Sequence, residues 1–168
     1  TGRGEERVDT VRVLDWNDPA NNDYFLAQQL WVAGDPYTRR PDLIGFVNGI
    51  PLLFIELKKH ANNVKDAFAK NLSDYKDAIP HLFWYTGFII LSNGSDARLG
   101  TLTSPWRHFA QWKRIDDEGE EGVIALDTLL RATCTPERLL DLLENFILYQ
   151  EARGGLEKIV AKNHQYLG

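Results

Sequence analysis

Methionine is absent from the 168 residues, and cysteine occurs once, at position 134. A lone cysteine excludes an internal disulfide and a cysteine-based zinc site. With no activating partner visible in sequence, Cys134 is expected to be a small core residue. No apolar run approaches the ~18 residues a membrane helix needs, and no signal-peptide pattern opens the chain. The expectation is a reduced, cytoplasmic domain with no membrane contact. The missing methionine, at position 1 included, points to a piece of a longer product. Basic charge is also scarce, with 19 Lys and Arg against 24 Asp and Glu and a net charge of −5. A stand-alone DNA binder usually carries a basic face. If DNA is the partner, other chains or domains must supply most of the phosphate neutralisation.

Several chemical signatures are missing as well. There is no G-x-x-x-x-G-K-[ST] phosphate loop, no G-x-S-x-G elbow and no H-E-x-x-H. The four histidines, at 60, 81, 108 and 164, show no metal-ligand spacing. What is present is a globular composition, 43% hydrophobic, 26% charged and 11% aromatic, which suits one domain.

Along the chain, Thr1 to Trp16 are polar with no clear period, Gly2-Arg3-Gly4 reads as a loose end, and Asp18 to Asn22 form a turn cluster. Asp23 to Ala33 suits a helix by length and a strand by composition. Leu43 to Val47 and Ile50 to Lys58 read as a hairpin around Asn48-Gly49. From Asn62 to Ile79, the residues Val64, Phe68, Leu72, Tyr75 and Ile79 recur at helical spacing, and Pro80 stops the run. Leu82 to Ser92 reads as a buried central strand closed by Asn93-Gly94, with further strands expected over Arg98 to Thr103 and Gln111 to Ile115. Glu118 to Gly122 is an acidic solvated loop. Thr135-Pro136 starts a helix whose buried stripe is Leu139, Leu142, Leu143, Phe146 and Ile147. Gly154-Gly155 is expected to end it, and Leu156 to His164 to begin another. The fold class is α/β or α+β around one sheet.

The chemistry concentrates at Pro41-Asp42 and, across the hairpin, Glu56-Leu57-Lys58. Glu56 and Lys58 are two apart on a strand and share a face, after a wholly apolar run from Leu52 to Ile55. Charges at the rim of a buried sheet are costly unless they pair or bind a metal. Two carboxylates can hold Mg²⁺ through hard oxygens, and a nearby lysine can orient or deprotonate an attacking water. The alternative is a Glu-Lys pair at an exposed strand end, with Asp42 capping a turn. A plain two-residue turn would set Asp42 opposite Ile55, on the wrong face. A shared metal site therefore needs one extra residue, expected in a three-residue turn with Gly49 left-handed.

The run from Arg40 to Lys58, R-P-D-L-I-G-F-V-N-G-I-P-L-L-F-I-E-L-K, closely resembles the PD-(D/E)xK nuclease core of the R (motor) subunit of type I restriction enzymes. Asn22-x-x-Phe25 and Gln28-Gln29 upstream agree in order, as do Ile79-Pro-His-Leu-Phe83, Ser92-Asn-Gly94, Gly100-Thr-Leu-Thr103 and Phe109-x-x-Trp112 downstream. The resemblance implies a restriction-endonuclease-like fold and a Mg²⁺-dependent nuclease. Asp42 and Glu56 map to its metal-binding acids, the Leu57 carbonyl to a further ligand and Lys58 to the catalytic lysine. It also resolves Asp23 to Ala33 toward strand. Where these nucleases often carry Q-x-x-x-Y, this chain has Asn71-Leu-Ser-Asp-Tyr75, an amide one methylene shorter. Arg39, Arg40 and Lys59 are the other basic residues near the site and candidate DNA contacts.

The same resemblance divides the chain into a lead-in at 1–21, a nuclease domain at 22–134 and a helical linker at 135–168. The linker would lead to an ATP-dependent motor, so ATP belongs to the intact subunit and not to this piece. Duplex DNA and the methylation and specificity subunits are the implied partners. Two other readings remain: a catalytically idle nuclease-fold module that docks the other subunits, favoured by the acidic charge and Asn71, and a stand-alone repair nuclease.

Overall fold

The computed structural model describes residues 11–152 and 154–168; the expected loose end at Gly2 to Gly4 lies outside them. Ten strands are found among the described residues: β1 (Tyr24–Gln28), β2 (Val32–Ala33), β3 (Thr38–Arg39), β4 (Leu43–Val47), β5 (Ile50–Leu57), β6 (Phe88–Ser92), β7 (Ala97–Gly100), β8 (Ala110–Gln111), β9 (Ile147–Ala152) and β10 (Gly155–Val160). Six of them form one sheet in the order β1-β4-β5-β6-β7-β8. Every neighbouring pair is antiparallel except β5 and β6, which run parallel. Parallel neighbours need a crossover, supplied here by a helix, α1 (64–78), built of Val64–Asp66, a π-helical stretch Ala67–Leu72 and Ser73–Ala78. The class is α+β with a mixed central sheet.

The hairpin between β4 and β5 differs from expectation in one respect. Asn48 and Gly49 have φ of 50° and 79°, so the turn is the two-residue type with both central residues left-handed. Asn48 also donates to the buried Asn22 Oδ1 at 2.8 Å, fixing the tip. Val47 pairs with Ile50 and Phe46 with Pro51, but Gly45 then pairs with Leu53. The extra residue is Leu52, in the strand rather than in the loop. This β-bulge achieves the register change that a longer turn would have given.

Alternation along the strands divides the core in two. Ile44, Phe54, Ile89 and Leu91 face α1, meeting Val64, Ala67, Leu72, Tyr75 and Ile79. Leu53, Ile55, Phe88, Ile90 and Leu99 face the other way. There they meet α2 (Ala125–Thr133) and α3 (Pro136–Asn145) through Leu129, Ala132, Leu139, Leu140 and Leu142. Asn63 caps α1 by accepting from Lys65 N at 2.9 Å. The regular spacing expected in α1 breaks inside it: Ala67 and Leu72, five apart, are buried, while Phe68 is only half-buried. A π turn accommodates such a five-residue step. Helix α2 was not foreseen, although Leu126, Leu129, Leu130 and Thr133 carry helical spacing.

The end of the chain is not helical throughout. Helix α3 begins as expected at Thr135-Pro136 but stops at Asn145. The run Ile147-Leu148-Tyr149, β-branched and aromatic, opens β9. Gly154-Gly155 lies at the turn of a β9–β10 hairpin instead of a helix end, and Leu156 to Val160 are strand. Only Asn163–Tyr166 are helical, as α4. The hairpin is fastened to the loops beside the sheet: Lys158 N donates to Thr103 Oγ1 at 2.6 Å, and Lys158 Nζ donates to Thr86 O at 2.8 Å. The central strand expected over Leu82 to Ser92 is confined to Phe88–Ser92, since Pro80–Phe83 form a 3-10 turn. The strand expected over Arg98 to Thr103 ends at Gly100, and that over Gln111 to Ile115 shrinks to Ala110–Gln111.

Phe54 lies at the centre of the α1 face, 1% exposed, with Tyr75 at 5.7 Å and Phe83 at 5.0 Å between ring centroids. Phe54→Ala is expected to cost about 3–5 kcal/mol through lost burial and the cavity left behind, read as a lower urea midpoint at unchanged slope.

Candidate active site

Leu43 pairs with Ile55 as the last rung between β4 and β5, and continuing the register by one residue sets Asp42 against Glu56. Both follow the alternation of Ile44 and Phe54 and so lie on the α1 side of the sheet. Asp42 is fixed twice. Its main-chain carbonyl accepts from Gln29 N at 2.8 Å, and its Oδ2 accepts from Leu57 N at 2.8 Å. Gln29, of the Gln28-Gln29 pair read in the sequence, holds this position with φ of 50°.

Leu57 lies at the join. A strand residue's N–H and C=O point to the same edge, and the next peptide's N–H points to the other. Lys58 N donates to Ser92 O on β6 at 2.7 Å. The Leu57 carbonyl is therefore aimed toward β4, where its own N–H meets Asp42. That gives three oxygen-bearing groups at one corner of the sheet: the Asp42 carboxylate, the Glu56 carboxylate and the Leu57 carbonyl.

The electrostatics are set by burial. The Glu56 side chain is 4% exposed and that of Lys58 17%, and Lys58 Nζ lies 3.2 Å from Glu56 Oε1. Glu56 Oε2 is buried with no hydrogen-bond partner. Desolvation, and then the Asp42 charge, raise the Glu56 carboxyl above the usual range; Lys58 and, less, the Tyr75 hydroxyl work against them. Tyr75, from α1, has its hydroxyl pushed up to about 12 by burial and by the Glu56 and Asp42 charges, with the Asn71 side chain opposing. It therefore stays a neutral donor over the ordinary pH range. The structure thus gathers Asp42, Glu56, Leu57, Lys58, Asn71 and Tyr75.

The donor set fits a hard divalent cation. An unpartnered buried carboxylate oxygen is expensive in an apolar setting, and carboxylate and carbonyl oxygens are the ligands Mg²⁺ takes, with waters filling the remaining positions. Among the described residues no group of three or more His, Cys, Asp and Glu side chains could hold a metal, so a soft or imidazole-rich metal site has no candidate there.

The three other basic residues fare differently. Arg39 donates from Nε and Nη2, one edge of its guanidinium, to the two carboxylate oxygens of Asp74 of α1, at 2.6 and 2.8 Å, and so ties β3 to the helix. Arg40 is exposed, with its guanidinium 5.1 Å from the Trp31 ring centroid. Lys59 is exposed. Cys134 is only part-buried at its surface, and its thiol is pushed up to about 11 by desolvation, which leaves it a poor nucleophile. One residue carries a task the sequence did not reveal: Asn93 Nδ2 donates to Asn62 O at 2.8 Å and His60 O at 3.3 Å, bracing the loop after Lys58. The Ser92-Asn93-Gly94 turn signal was visible, but not what it would touch.

Comparison with known proteins gives a consistent picture. Residues 1–108 match the family described as "Type I restriction enzyme R protein N terminus". The chain is 35% identical, over all of its length and 17% of the relative's, to "Type I restriction enzyme HindI endonuclease subunit" of Haemophilus influenzae. It is 30% identical, over 97% of its length and 17% of the relative's, to "Putative type I restriction enzyme MjaIXP endonuclease subunit" of Methanocaldococcus jannaschii. A third relative, "Type I restriction enzyme SauCOLORF180P endonuclease subunit" of Staphylococcus aureus, is 24% identical over 89% of the chain and 16% of its own length. The chain thus spans roughly a sixth of the length of these curated relatives. It belongs to the family formed by the N-terminal part of type I restriction enzyme R proteins.

Proposed function

We propose that this chain is the Mg²⁺-dependent endonuclease domain of a type I restriction R subunit, with a restriction-endonuclease-like PD-(D/E)xK core. It hydrolyses phosphodiester bonds of duplex DNA with little sequence preference of its own. Methylation and specificity subunits are its partners, and an ATP-driven motor elsewhere in the subunit delivers the DNA. The observation that carries this reading is the buried Glu56 oxygen without a partner, on the same sheet corner as Asp42 and Lys58.

Asp42, Glu56 and the Leu57 carbonyl would hold the cation. Bound there, Mg²⁺ supplies a Lewis acid for a phosphate oxygen and makes a coordinated water more acidic. Lys58 gives one of its three N–H donors to Glu56 Oε1 and keeps two for a phosphate oxygen or the attacking water. Tyr75 offers an un-ionised hydroxyl beside Glu56, and Asn71 steadies it from the next turn of the helix.

In the intact subunit within its complex, Asp42→Ala, Glu56→Ala and Lys58→Ala are each expected to abolish DNA cleavage and leave ATP-driven translocation near normal. Parental cleavage by Lys58→Ala would remove that lysine from the mechanism, and parental cleavage by all three would leave the idle docking module.

Glu56 also has a stability signature. Its raised folded pKa means the charged form is disfavoured on folding, so the cost is absent below the usual carboxylate pKa and complete above the raised value. Without metal, Glu56→Gln is therefore expected to unfold at a higher temperature than the parent at pH 7–8. The gap should close as pH falls through the raised pKa toward about 4. Thermal scans across that range check it, and a lower melting temperature for Glu56→Gln at neutral pH would contradict it.

The fragment alone is expected to cut DNA poorly. Affinity for duplex DNA scales with the phosphates met by Lys and Arg, and of the four basic residues near the site Arg39 and Lys58 already hold Asp74 and Glu56. A plasmid-nicking assay at ~150 mM salt checks this. Rapid cleavage at sub-micromolar protein, lost in Glu56→Ala, would show that the domain binds DNA well by itself.

A further inference from the structure

Just before Asp42 the chain makes the small β2–β3 hairpin, in which Val32 pairs with Arg39 and Ala33 with Thr38. It carries two exposed aromatics, Trp31 at 66% and Tyr37 at 59%. An arginine lies over each ring, Arg40 at 5.1 Å from the Trp31 centroid and Arg39 at 5.2 Å from that of Tyr37.

The two arginines are not equivalent. Arg39 is engaged by Asp74 in a two-point ion pair. Arg40 has no carboxylate or hydrogen-bond partner among the described residues. The register of the hairpin, continued by one residue, sets Arg40 against Trp31, and the guanidinium carbon lies over the indole at 5.1 Å from its centroid. On its other side comes the buried Pro41 and then Asp42, whose position is fixed by Gln29 and Leu57. Arg40 is thus a pre-oriented cation two residues from a fixed carboxylate.

An arginine held over an aromatic ring keeps N–H donors for other partners, and its planar fork matches two oxygens of a phosphate. The neighbourhood needs such a charge. Asp42 and Glu56 present negative charge to a polyanion, and the chain as a whole carries −5. A cation two residues along the chain from Asp42, with no carboxylate partner among the described residues, would offset part of that repulsion.

We propose that the Trp31–Arg40 stack is a phosphate-backbone contact for duplex DNA, with Arg40 binding a phosphate next to the one cut at Asp42 and Glu56 and Trp31 holding the guanidinium plane. The proposal rests on the nuclease reading above and adds to it the residues that place the strand. Arg40 acts as a positioning residue, and it makes sequence-independent contact.

The test uses the intact subunit in its complex, with Arg40→Ala, Arg40→Lys, Trp31→Ala and, as the reference without chemistry, Glu56→Gln. Cleavage is measured against salt, with ATP turnover and assembly of the complex followed in parallel. Arg40→Ala is expected to slow cleavage about tenfold at ~150 mM salt, as befits loss of a charge-assisted contact, with assembly and ATP turnover unchanged. It should also flatten the dependence of log rate on log salt by roughly one unit, the signature of one lost phosphate contact. Arg40→Lys should restore the salt slope but not the full rate, since it keeps the charge and loses the fork. Trp31→Ala should fall between. Parental rate and slope in Arg40→Ala, with Glu56→Gln inactive, would overturn the phosphate contact and leave the nuclease reading standing. Cleavage by Glu56→Gln at the parental rate would overturn the nuclease reading itself. Failure of Trp31→Ala or Arg40→Ala to assemble would identify the patch as a protein interface and overturn the proposal.

Discussion

A carboxylate held almost out of water at the end of an apolar strand governs the rest of this structure. Glu56 follows Leu52 to Ile55 on β5, beneath α1, and one of its oxygens has no partner. Burial of that kind destabilises a fold, and the Lys58 contact offsets only part of it because it reaches one oxygen alone. The surroundings are rigid where rigidity is needed to sustain this. Phe54 of the same strand packs against Tyr75 of α1, β6 pairs alongside, and Lys58 N is bonded to Ser92 O. Stability given up at one point for a charge poised to meet a ligand is the usual pattern of a functional site.

The second carboxylate arrives through a single inserted residue. Without Leu52 bulging between the pairs Phe46–Pro51 and Gly45–Leu53, the tight Asn48-Gly49 turn would carry Asp42 to the opposite face of the sheet. The bulge keeps the strong turn at the tip and still sets Asp42 against Glu56. The Asp42 carboxylate then accepts from Leu57 N, so the metal-ligand candidate also finishes the hydrogen bonding of the strand end. Position and chemistry are set by the same contact.

Much of this was legible from residue patterns. The hairpin, the α1 helix, the Phe88 to Ser92 half of the buried central strand and the start of α3 follow from turn residues, periodicity and capping. The need for one extra residue between Asp42 and Glu56 follows from strand alternation alone. Its location did not, because a bulge inside Leu52 to Ile55 leaves no mark in a uniformly apolar run. The tail was misread for a related reason: Leu156 to His164 has enough apolar residues for a helix, and the Gly154-Gly155 pair suits a hairpin turn as well as a helix end. The π turn in α1 was hidden because Phe68 looked like the core residue and Ala67 did not. Which basic residues are free could not be read at all, since Asp74, the partner of Arg39, lies 35 residues away.

The most direct measurement is a crystal of this chain soaked in Mn²⁺, with anomalous scattering used to locate the ion. A peak between the Asp42 and Glu56 carboxylates, within reach of the Leu57 carbonyl, is the result expected. Full Mn²⁺ occupancy elsewhere in the chain, with no peak between those two carboxylates, would contradict it.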